Sequence, residues 1–529
     1  MAGSMSSLPP SASSLLTSTT SLPSTSSLPP STAYSSGAGG AQISDLLIER
    51  VSSRVLSSAS AARQKAYTVE ELKPLMKLEI EQNTARNPDL ATDVFPDSSL
   101  HFTIDVGLLN KIIEIEPRRR SRSTTTRGTT THNNKAGLKR NKSSGPHSRN
   151  ASLLYHPPDD WSEKKMCKWL NDIGAALERI YREENNGKEV GTYFDADGKE
   201  VVPPKRLWCH SHSSSSLDGS PIKRKPDLAL WDRHSLTTQT WPKVRSLCEV
   251  TRSELPKNKT IKETIYQKSY IMFLTQANRR FVPSLAFACD SFVFSVCDRT
   301  GAVVTQTLKV KRHPLILLRI LVGLMFGRPS SIGYDETIEC DDEGKATSIT
   351  AGGTKYKVEE VLFKSESLSG RATRCWHVSR MEGLIRKLYV IKDSWVDTRR
   401  THSEIDTLKL IQDKGLCPGR GVPQLIHGED VQVPCGIDSI PIFCTDDTSR
   451  RRVGDDTAES RIHCRLVLGP VGKHIASFKS LKELIGAFID AVSGTSRVFI
   501  ANNMSMLTNM FSAWMSLLEG DPASRHQHK

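Results

Sequence analysis

The sequence predicts an α+β protein that begins with a long polar segment. The chain of 529 residues has room for two or three domains, but 37% hydrophobic and 6% aromatic residues are few for a chain packed along its whole length. From Asp159 onward, segments with a helical apolar repeat alternate with short apolar runs typical of strands. Residues 1–40, in contrast, are mostly Ser, Thr, Pro and Gly.

The net charge of +14 is concentrated in one segment. Residues 117–150 contain ten Lys or Arg and no Asp or Glu. Such a run is typical of a nuclear-import signal, of a weak contact with a phosphate backbone, or of a linker that is simply solvated. Because no aromatic residues are interleaved with the charges, stacking on single-stranded bases is not predicted. Beyond a weak contact by this segment, nucleic acid is not an expected partner.

Cysteine usage and hydropathy indicate an intracellular protein. The eleven cysteines form no CxxC pair and are odd in number, which favours reduced thiols over a disulfide framework or a zinc site, so no metal site is assigned. There is no basic and apolar leader, and the most apolar run, 314–327, is short and broken by Arg319. We therefore expect a cytoplasmic or nuclear protein without membrane contact.

The amino-terminal part is expected to contain little packed structure. Residues 1–60 form a disordered leader rich in Ser, Thr and Pro, because such a composition cannot bury enough apolar surface to offset chain entropy. Residues 61–116 carry two amphipathic runs, "YTVEELKPLMKLEIEQN" and "VGLLNKIIEI", which predict short helices. Residues 117–155 form the basic disordered linker.

Residues 159–330 are predicted to form an α+β region. A helix follows Asp159, with Trp161, Trp169, Ile173 and Leu177 near helical spacing. Two strands, "RKPDLALWD" and "WPKVRSLCEVTRSE", precede a long helix, "TIKETIYQKSYIMFLTQANRR". Short strands from 281 to 310 turn at "DRTG", an apolar helix spans 314–326, and a loop leads to residue 355.

From residue 356 onward the pattern is strand, strand, helix, strand, strand. Lys392 lies on the alternating run "KLYVIKDSW", and Glu404 follows twelve residues later at the predicted helix. Lys392 is either a solvated strand lysine or a ligand of an anion held in a cleft. A carboxylate from the next helix would orient such a lysine, although Glu404 could equally be a surface residue. Gly370, in "SLSGRATRCW", lies in a predicted turn that could approach phosphates or be an ordinary hairpin.

The combined motifs resemble the fungal-type protein kinase family over about residues 159–492. They are "SGRATRCW", "YVIKDSW", Glu404, "LVLGPVG", "QANRRFV", "CDRTG" and "IGYDETI". The resemblance implies a kinase-like amino-terminal lobe and hinge at 331–480 and ATP-dependent phosphorylation of Ser or Thr in a protein substrate or partner. It also implies ATP and Mg as cofactors. The implied nucleotide-binding residues are Gly370, Ala372, Thr373, Lys392, Glu404, Leu468 and Gly469.

The resemblance also implies motifs that this sequence lacks. A kinase needs a catalytic aspartate and metal-binding Asn and Asp after the hinge, yet neither HRD nor DFG occurs here, so no catalytic residue is assigned. Residues 481–529 are expected to form an incomplete helical lobe and an amphipathic tail, with Met504, Leu507 and Phe511 on one helical face. We therefore expect weak or absent phosphoryl transfer, from a truncated or pseudokinase chain that could retain ATP binding.

A second pattern resembles PD-(D/E)xK nucleases. Asp227 in "KPDLALWD" and Glu249 in "CEVTRSE" match the two metal-binding acids of that pattern. Thr251 stands where the pattern has lysine, although Lys257, Lys259 or Lys268 could substitute. Two carboxylates at strand ends are the simpler interpretation. A nuclease-like or non-catalytic interaction module therefore remains the alternative to a kinase.

Overall fold

The computed structural model describes residues 69–80, 83–114, 157–158, 161–195, 197–252, 259–415, 422–437, 442–451, 459–472 and 477–502. The predicted disordered segments 1–60 and 117–155 lie outside these residues, as does the tail beyond residue 502. The short helices predicted within 61–116 are present.

The described part of the chain is a mixed α+β structure with several sheets. Its eight helices are α1 (Val69–Glu79), α2 (Leu90–Val94), α3 (Val106–Glu114), α4 (Glu163–Glu184), α5 (Lys259–Thr275), α6 (Pro314–Phe326), α7 (Glu404–Asp413) and α8 (Leu481–Asn502). The first ten strands are β1 (Thr84–Arg86), β2 (Tyr193–Phe194), β3 (Glu200–Val201), β4 (Arg206–Cys209), β5 (Leu228–Asp232), β6 (Ser246–Thr251), β7 (Val282–Ala288), β8 (Ser291–Asp298), β9 (Gly301–Val304) and β10 (Leu308–Lys309). The remaining nine are β11 (Ile338–Cys340), β12 (Ala346–Ala351), β13 (Thr354–Lys364), β14 (Arg374–Glu382), β15 (Ile385–Asp397), β16 (Gln424–Asp430), β17 (Gln432–Cys435), β18 (Ile442–Thr445) and β19 (Arg461–Gly469).

The first sheet has eight strands in the order β1-β9-β8-β7-β6-β5-β4, with β10 paired to β8. β4, β5 and β6 are antiparallel, whereas β7 runs parallel to β6 after the crossover through α5. Parallel neighbours need such a crossover because a tight turn reverses the chain direction and therefore joins antiparallel strands. β8 ends at Asp298 and β9 begins at Gly301, so the turn predicted at "DRTG" is confirmed.

Two apolar layers cover the first sheet. α4 and α6 contribute to one core cluster, in which Trp169, Ile173 and Leu177 of α4 are buried at the spacing seen in the sequence. The other cluster includes Leu72 and Met76 of α1 together with residues of α5. Because both layers bury large apolar side chains, strands such as β7 are buried along their whole length rather than at alternate residues.

The second sheet has seven antiparallel strands in the order β11-β12-β13-β14-β15-β19-β16. β15 lies inside this sheet, between β14 and β19. One face carries a core of β11–β15 residues that includes Trp376 and Ile391. The other face packs on α7 through Ile405, Leu408 and Ile411. Consecutive side chains of β15 therefore lie alternately on the face of this core and on the face that packs on α7.

Two predictions of local structure are wrong. The loop expected between residue 326 and residue 355 contains β11 and β12, which pair across a turn at Gly344. Three strands, not two, precede α7: β13, β14 and β15, of which β14 and β15 are joined by the turn at Gly383. Both errors concern short or polar strands that are stabilised by their neighbours in the sheet rather than by their own composition.

The expectation of reduced thiols rather than disulfides is wrong for one pair of cysteines. Cys435 of β17 and Cys444 of β18 form a disulfide across their hairpin. Sequence spacing did not indicate it, because a disulfide requires the two Cα atoms to be brought together by strand pairing. Among the described helices, none combines the length and apolarity that crossing a bilayer requires.

Candidate functional site

Lys392 and Glu404 form an ion pair at the inner edge of α7. The Nζ of Lys392 donates to both carboxylate oxygens of Glu404, at 2.7 and 2.8 Å. Their side chains are 13% and 26% exposed, so the pair is partly accessible to a ligand. Lys392 lies opposite Cys375 of β14 and Leu466 of β19. The contact between this strand lysine and the first residue of the next helix is therefore present.

The start of α7 is fixed by a capping box. The hydroxyl of Ser403 accepts a hydrogen bond from the amide of Asp406, and the Asp406 carboxylate accepts one from the amide of Ser403. This arrangement satisfies amides that a helix start would otherwise leave unpaired. Ile405 and Leu408 bury the other side of the helix. Glu404 is thereby directed towards β15.

A second cation contacts Glu404. The guanidinium of Arg371 lies 3.5 Å from the Glu404 carboxylate and is about one third exposed. Burial alone would raise the pKa of Glu404, but the charge and hydrogen bonds of Lys392, with the charge of Arg371, outweigh burial and lower it. Two cations therefore share one carboxylate at neutral pH. The excess of positive charge suits an anionic ligand such as a phosphate group.

The turn that carries Gly370, Ala372 and Thr373 connects β13 to β14. Gly370 has a φ of +93° and Ala372 a φ of +41°, so the backbone is left-handed at a glycine and, unusually, at an alanine. Arg371 lies between these two residues and contacts Glu404, which places this turn at the same site as Lys392. The sequence motif did not single out Arg371.

Part of this turn is held by the first-sheet region, by which we mean the first sheet and the helices that pack on it. The Glu79 carboxylate accepts hydrogen bonds from the backbone amides of Leu368, at 2.6 Å, and Ser369, at 3.3 Å. The amide of Gly370 donates to the carbonyl of Arg299 at 2.8 Å. These three amides are consequently engaged within the protein. A bound phosphate would have to use Lys392, Arg371 or the later part of the turn.

Leu468 and Gly469 lie at the end of β19. Leu468 pairs with Val390 of β15 and with Leu425 of β16, and Gly469 pairs with Gln424. They thus lie on the strand next to Lys392, two and three residues beyond its cross-strand neighbour Leu466. The structure brings Lys392 and Glu404 into contact and places the turn and the end of β19 around the same strand. The role of these residues in nucleotide binding stays a prediction.

The nuclease-like residues also come together, beside α5. Asp227 accepts a hydrogen bond from the amide of Val250 at 2.9 Å, and Glu249 forms an ion pair with Lys268. Burial and the charge of Asp227 raise the pKa of Glu249 despite the opposing charge of Lys268. The side chains of Lys268 and Glu249 are only 2% and 4% exposed. Lys268 is thus the lysine that meets Glu249, while Lys257 lies outside the described residues.

A third group of polar residues lies on the opposite face of β15 from Lys392. Within the described residues, one trio of metal-type ligands, Asp335, Asp393 and His463, has its ligand atoms within 4.8 Å of one another. The guanidinium of Arg465 donates to Asp335 at 2.9 Å and to Asp393 at 2.8 Å. Because this cation already sits between the two carboxylates, the trio belongs to an ion-pair network and does not fit Mg²⁺.

Comparison with known proteins agrees with the motif pattern. The family model described as fungal protein kinase matches residues 225–504, which is more than half of the chain. No curated protein and no solved structure matches the chain. The matched residues include Lys392 and Glu404, and also Asp227 and Glu249. The chain therefore belongs to the fungal protein kinase family.

Proposed function

We propose that this chain binds the phosphates of ATP at Lys392 and that this site is the nucleotide-binding part of a protein kinase. The observation that carries the proposal is the ion pair between Lys392 and Glu404, in which the carboxylate orients a partly exposed ammonium group. Arg371 adds a second positive charge at 3.5 Å from the same carboxylate. The family supports ATP as the ligand and protein Ser or Thr as the phosphate acceptor.

Phosphoryl transfer by these 529 residues alone is proposed to be weak or absent. The sequence contains neither HRD nor DFG, the motifs that supply the catalytic base and the metal ligands in kinases. When bound with ATP, Mg²⁺ would offset the charge that develops on the transferred phosphoryl group. The residues around Lys392 supply cations and one carboxylate that is already paired, so they hold phosphate and do not form a metal site.

Nucleotide-dependent thermal unfolding tests the proposal. Wild-type protein is heated with and without excess ATP, beside Lys392→Met and the control Lys387→Met. Lys387 lies on the same strand but is half-exposed and pairs with Glu382, away from Glu404. We expect ATP to raise the Tm of the wild type and of Lys387→Met, and to leave Lys392→Met unchanged. An equal shift in all three proteins would contradict binding at Lys392.

The nuclease-like site is the second candidate, supported by the contact between Lys268 and Glu249 beside Asp227. It would require these groups to reach DNA and a metal ion, whereas the ion pair is almost fully buried. Metal-dependent cleavage of DNA that disappears in both Asp227→Asn and Glu249→Gln would favour this candidate over the kinase. Absence of both cleavage and ATP binding would instead favour a non-catalytic interaction module.

A further inference from the structure

A small cavity lies between the first-sheet region and the second sheet. Arg279 and Arg299 line it on one side, and Arg374, Asp393 and His463 line it on the other. Its volume is about 20 Å³. This is enough for one water molecule or one monatomic ion, but not for a phosphate group with its five heavy atoms.

The carboxylates near this cavity are already shared among other cations. Asp393 accepts from both Arg465 and His463, at 2.8 and 3.1 Å. Asp446 accepts from Arg280 at 2.7 Å and pairs with His463 at 3.2 Å. Asp393 and Asp446 thus each have two cationic partners, and Asp335, which also lines the cavity, is paired with Arg465 at 2.9 Å. They have little capacity left to neutralise further positive charge.

Three buried guanidinium groups at the cavity have no carboxylate partner within the described part of the chain. Arg279, Arg299 and Arg374 are 2%, 4% and 8% exposed. Arg279 donates to the carbonyls of Ile332 and Val244, and Arg374 donates to those of Phe273 and Ala277. Carbonyl groups satisfy the donors but do not cancel the charge.

Of the three guanidinium groups, that of Arg299 has the weakest hydrogen bonding. Its terminal nitrogens make long hydrogen bonds, of 3.3 Å to the carbonyl of Leu368 and 3.4 Å to that of Arg279. Its Nε is buried and has no hydrogen-bond partner among the described residues. The guanidinium also stacks on Phe273, with 4.1 Å to the ring centroid. One face of the Arg299 guanidinium is therefore covered by an aromatic ring, while its Nε–H donates to none of the described residues.

The electrostatics of the group agree with this geometry. Burial, together with the charge of Arg374, outweighs the charges of Asp298, Glu79 and Asp446 and lowers the pKa of Arg299 to about 9. Burial also lowers the pKa of Arg279 to about 10 and that of Arg374 below its usual value. Each shift reflects the free-energy cost of a buried charge that is incompletely compensated.

We propose that this cavity binds a single monatomic anion of the chloride class. The anion would accept the hydrogen bond of the Arg299 Nε and offset the charges of Arg279 and Arg374. Since Arg299 belongs to the first-sheet region and Arg374 to the second sheet, the bound anion ties the two together. A water molecule would accept the same hydrogen bond but would leave the charges uncompensated. This site is separate from Lys392, which lies on the other face of β15.

Halide-dependent unfolding tests the site. The Tm of the wild type is measured in sodium chloride, sodium bromide and sodium gluconate at equal ionic strength, because gluconate is too large for the cavity. We expect a saturating rise in Tm with chloride and bromide over gluconate. Arg299→Leu should lose the halide response and be at least as stable as the wild type in gluconate, because replacing an uncompensated buried charge with an apolar side chain removes its desolvation cost.

Arg319→Gln is the matched control. Arg319 is also largely buried, but it pairs with Asp97 and the carbonyl of Phe95, away from the cavity. This variant should keep the wild-type halide response. Crystals of the wild type grown in bromide provide a second measurement that does not depend on any variant folding. Anomalous scattering should show bromide within hydrogen-bond distance of the Arg299 Nε. A Tm indifferent to halide, or an ordered water with no anomalous signal, would overturn the proposal.

Discussion

The carboxylate of Glu79 binds the backbone amides of Leu368 and Ser369, although 289 residues separate Glu79 from Leu368. Glu79 ends α1, whose Leu72 and Met76 share a buried cluster with Leu368. The turn between β13 and β14, which carries Arg371, is therefore held by a helix that precedes the family-matched residues in sequence. Packing and hydrogen bonding act on the same turn, which makes its conformation depend on α1.

Replacing Glu79 should loosen this turn. Glu79→Ala removes a charged acceptor from two amides, so we expect a loss of about 1–3 kcal/mol in the free energy of unfolding. Urea denaturation measures the loss, and hydrogen exchange should become faster at Leu368 and Ser369. Glu183→Ala removes an exposed carboxylate paired with Arg179 and should cost less than about 1 kcal/mol. Unchanged exchange at the two amides would show that Glu79 does not hold the turn.

The ion pair of Lys392 should make stability depend on pH in the acidic range. The pKa of Glu404 is lowered in the folded protein, so the unfolded chain binds a proton at higher pH than the folded one. The pair therefore stabilises the fold above the usual glutamate pKa of about 4.3 and loses this contribution as pH falls through the lowered pKa. The free energy of unfolding should fall more steeply below pH 4.3 for the wild type than for Glu404→Gln. Identical slopes would show that the carboxylate gains nothing from Lys392.

His463 should produce the opposite dependence in the alkaline range. Burial disfavours its charged form, but hydrogen bonds to Asp393 and Asp446 outweigh burial and raise the pKa of His463 to about 9. Its contribution to stability is then complete below the unfolded histidine pKa of about 6.5 and is lost as pH rises through about 9. NMR titration of the His463 ring checks the pKa directly.

Variants at His463 provide the thermodynamic counterpart. Between pH 6.5 and 9, the free energy of unfolding should fall less in His463→Gln than in the wild type. His234→Gln, at an exposed histidine, should keep the wild-type profile. A ring that titrates near 6.5 would show that the two aspartates do not hold the proton on His463.

Variants of the buried pair of Lys268 and Glu249 test whether this pair stabilises the fold. Lys268→Met leaves the buried Glu249 carboxylate without its cation, so we expect a loss of about 3–5 kcal/mol in the free energy of unfolding. The double variant Lys268→Met/Glu249→Leu should recover most of this loss, because no unpaired charge remains. Chemical denaturation of the three proteins measures the coupling. A single variant as stable as the wild type would contradict the buried pairing.

Local sequence pattern determined the α+β class, the position of the apolar helices and the strand that carries Lys392. These features depend on the spacing of apolar residues within a short stretch of sequence. For example, α6 is predicted at 314–326 and has those bounds in the structure. The contact of Lys392 with Glu404 was also within reach of the sequence. Only a short turn separates that strand from the helix, and the family motif names both residues.

Tertiary structure alone decided which charges meet across the molecule. Asp393 follows Lys392 directly, yet the two-residue period of a strand sends it to the opposite face, where it meets His463 and Arg465. Glu79 reaches Leu368, and Arg299 approaches Arg374, only because the first-sheet region packs against the second sheet. Such contacts join residues far apart in sequence, so their partners are selected by packing and by the cost of burying an unpaired charge, which no local pattern records.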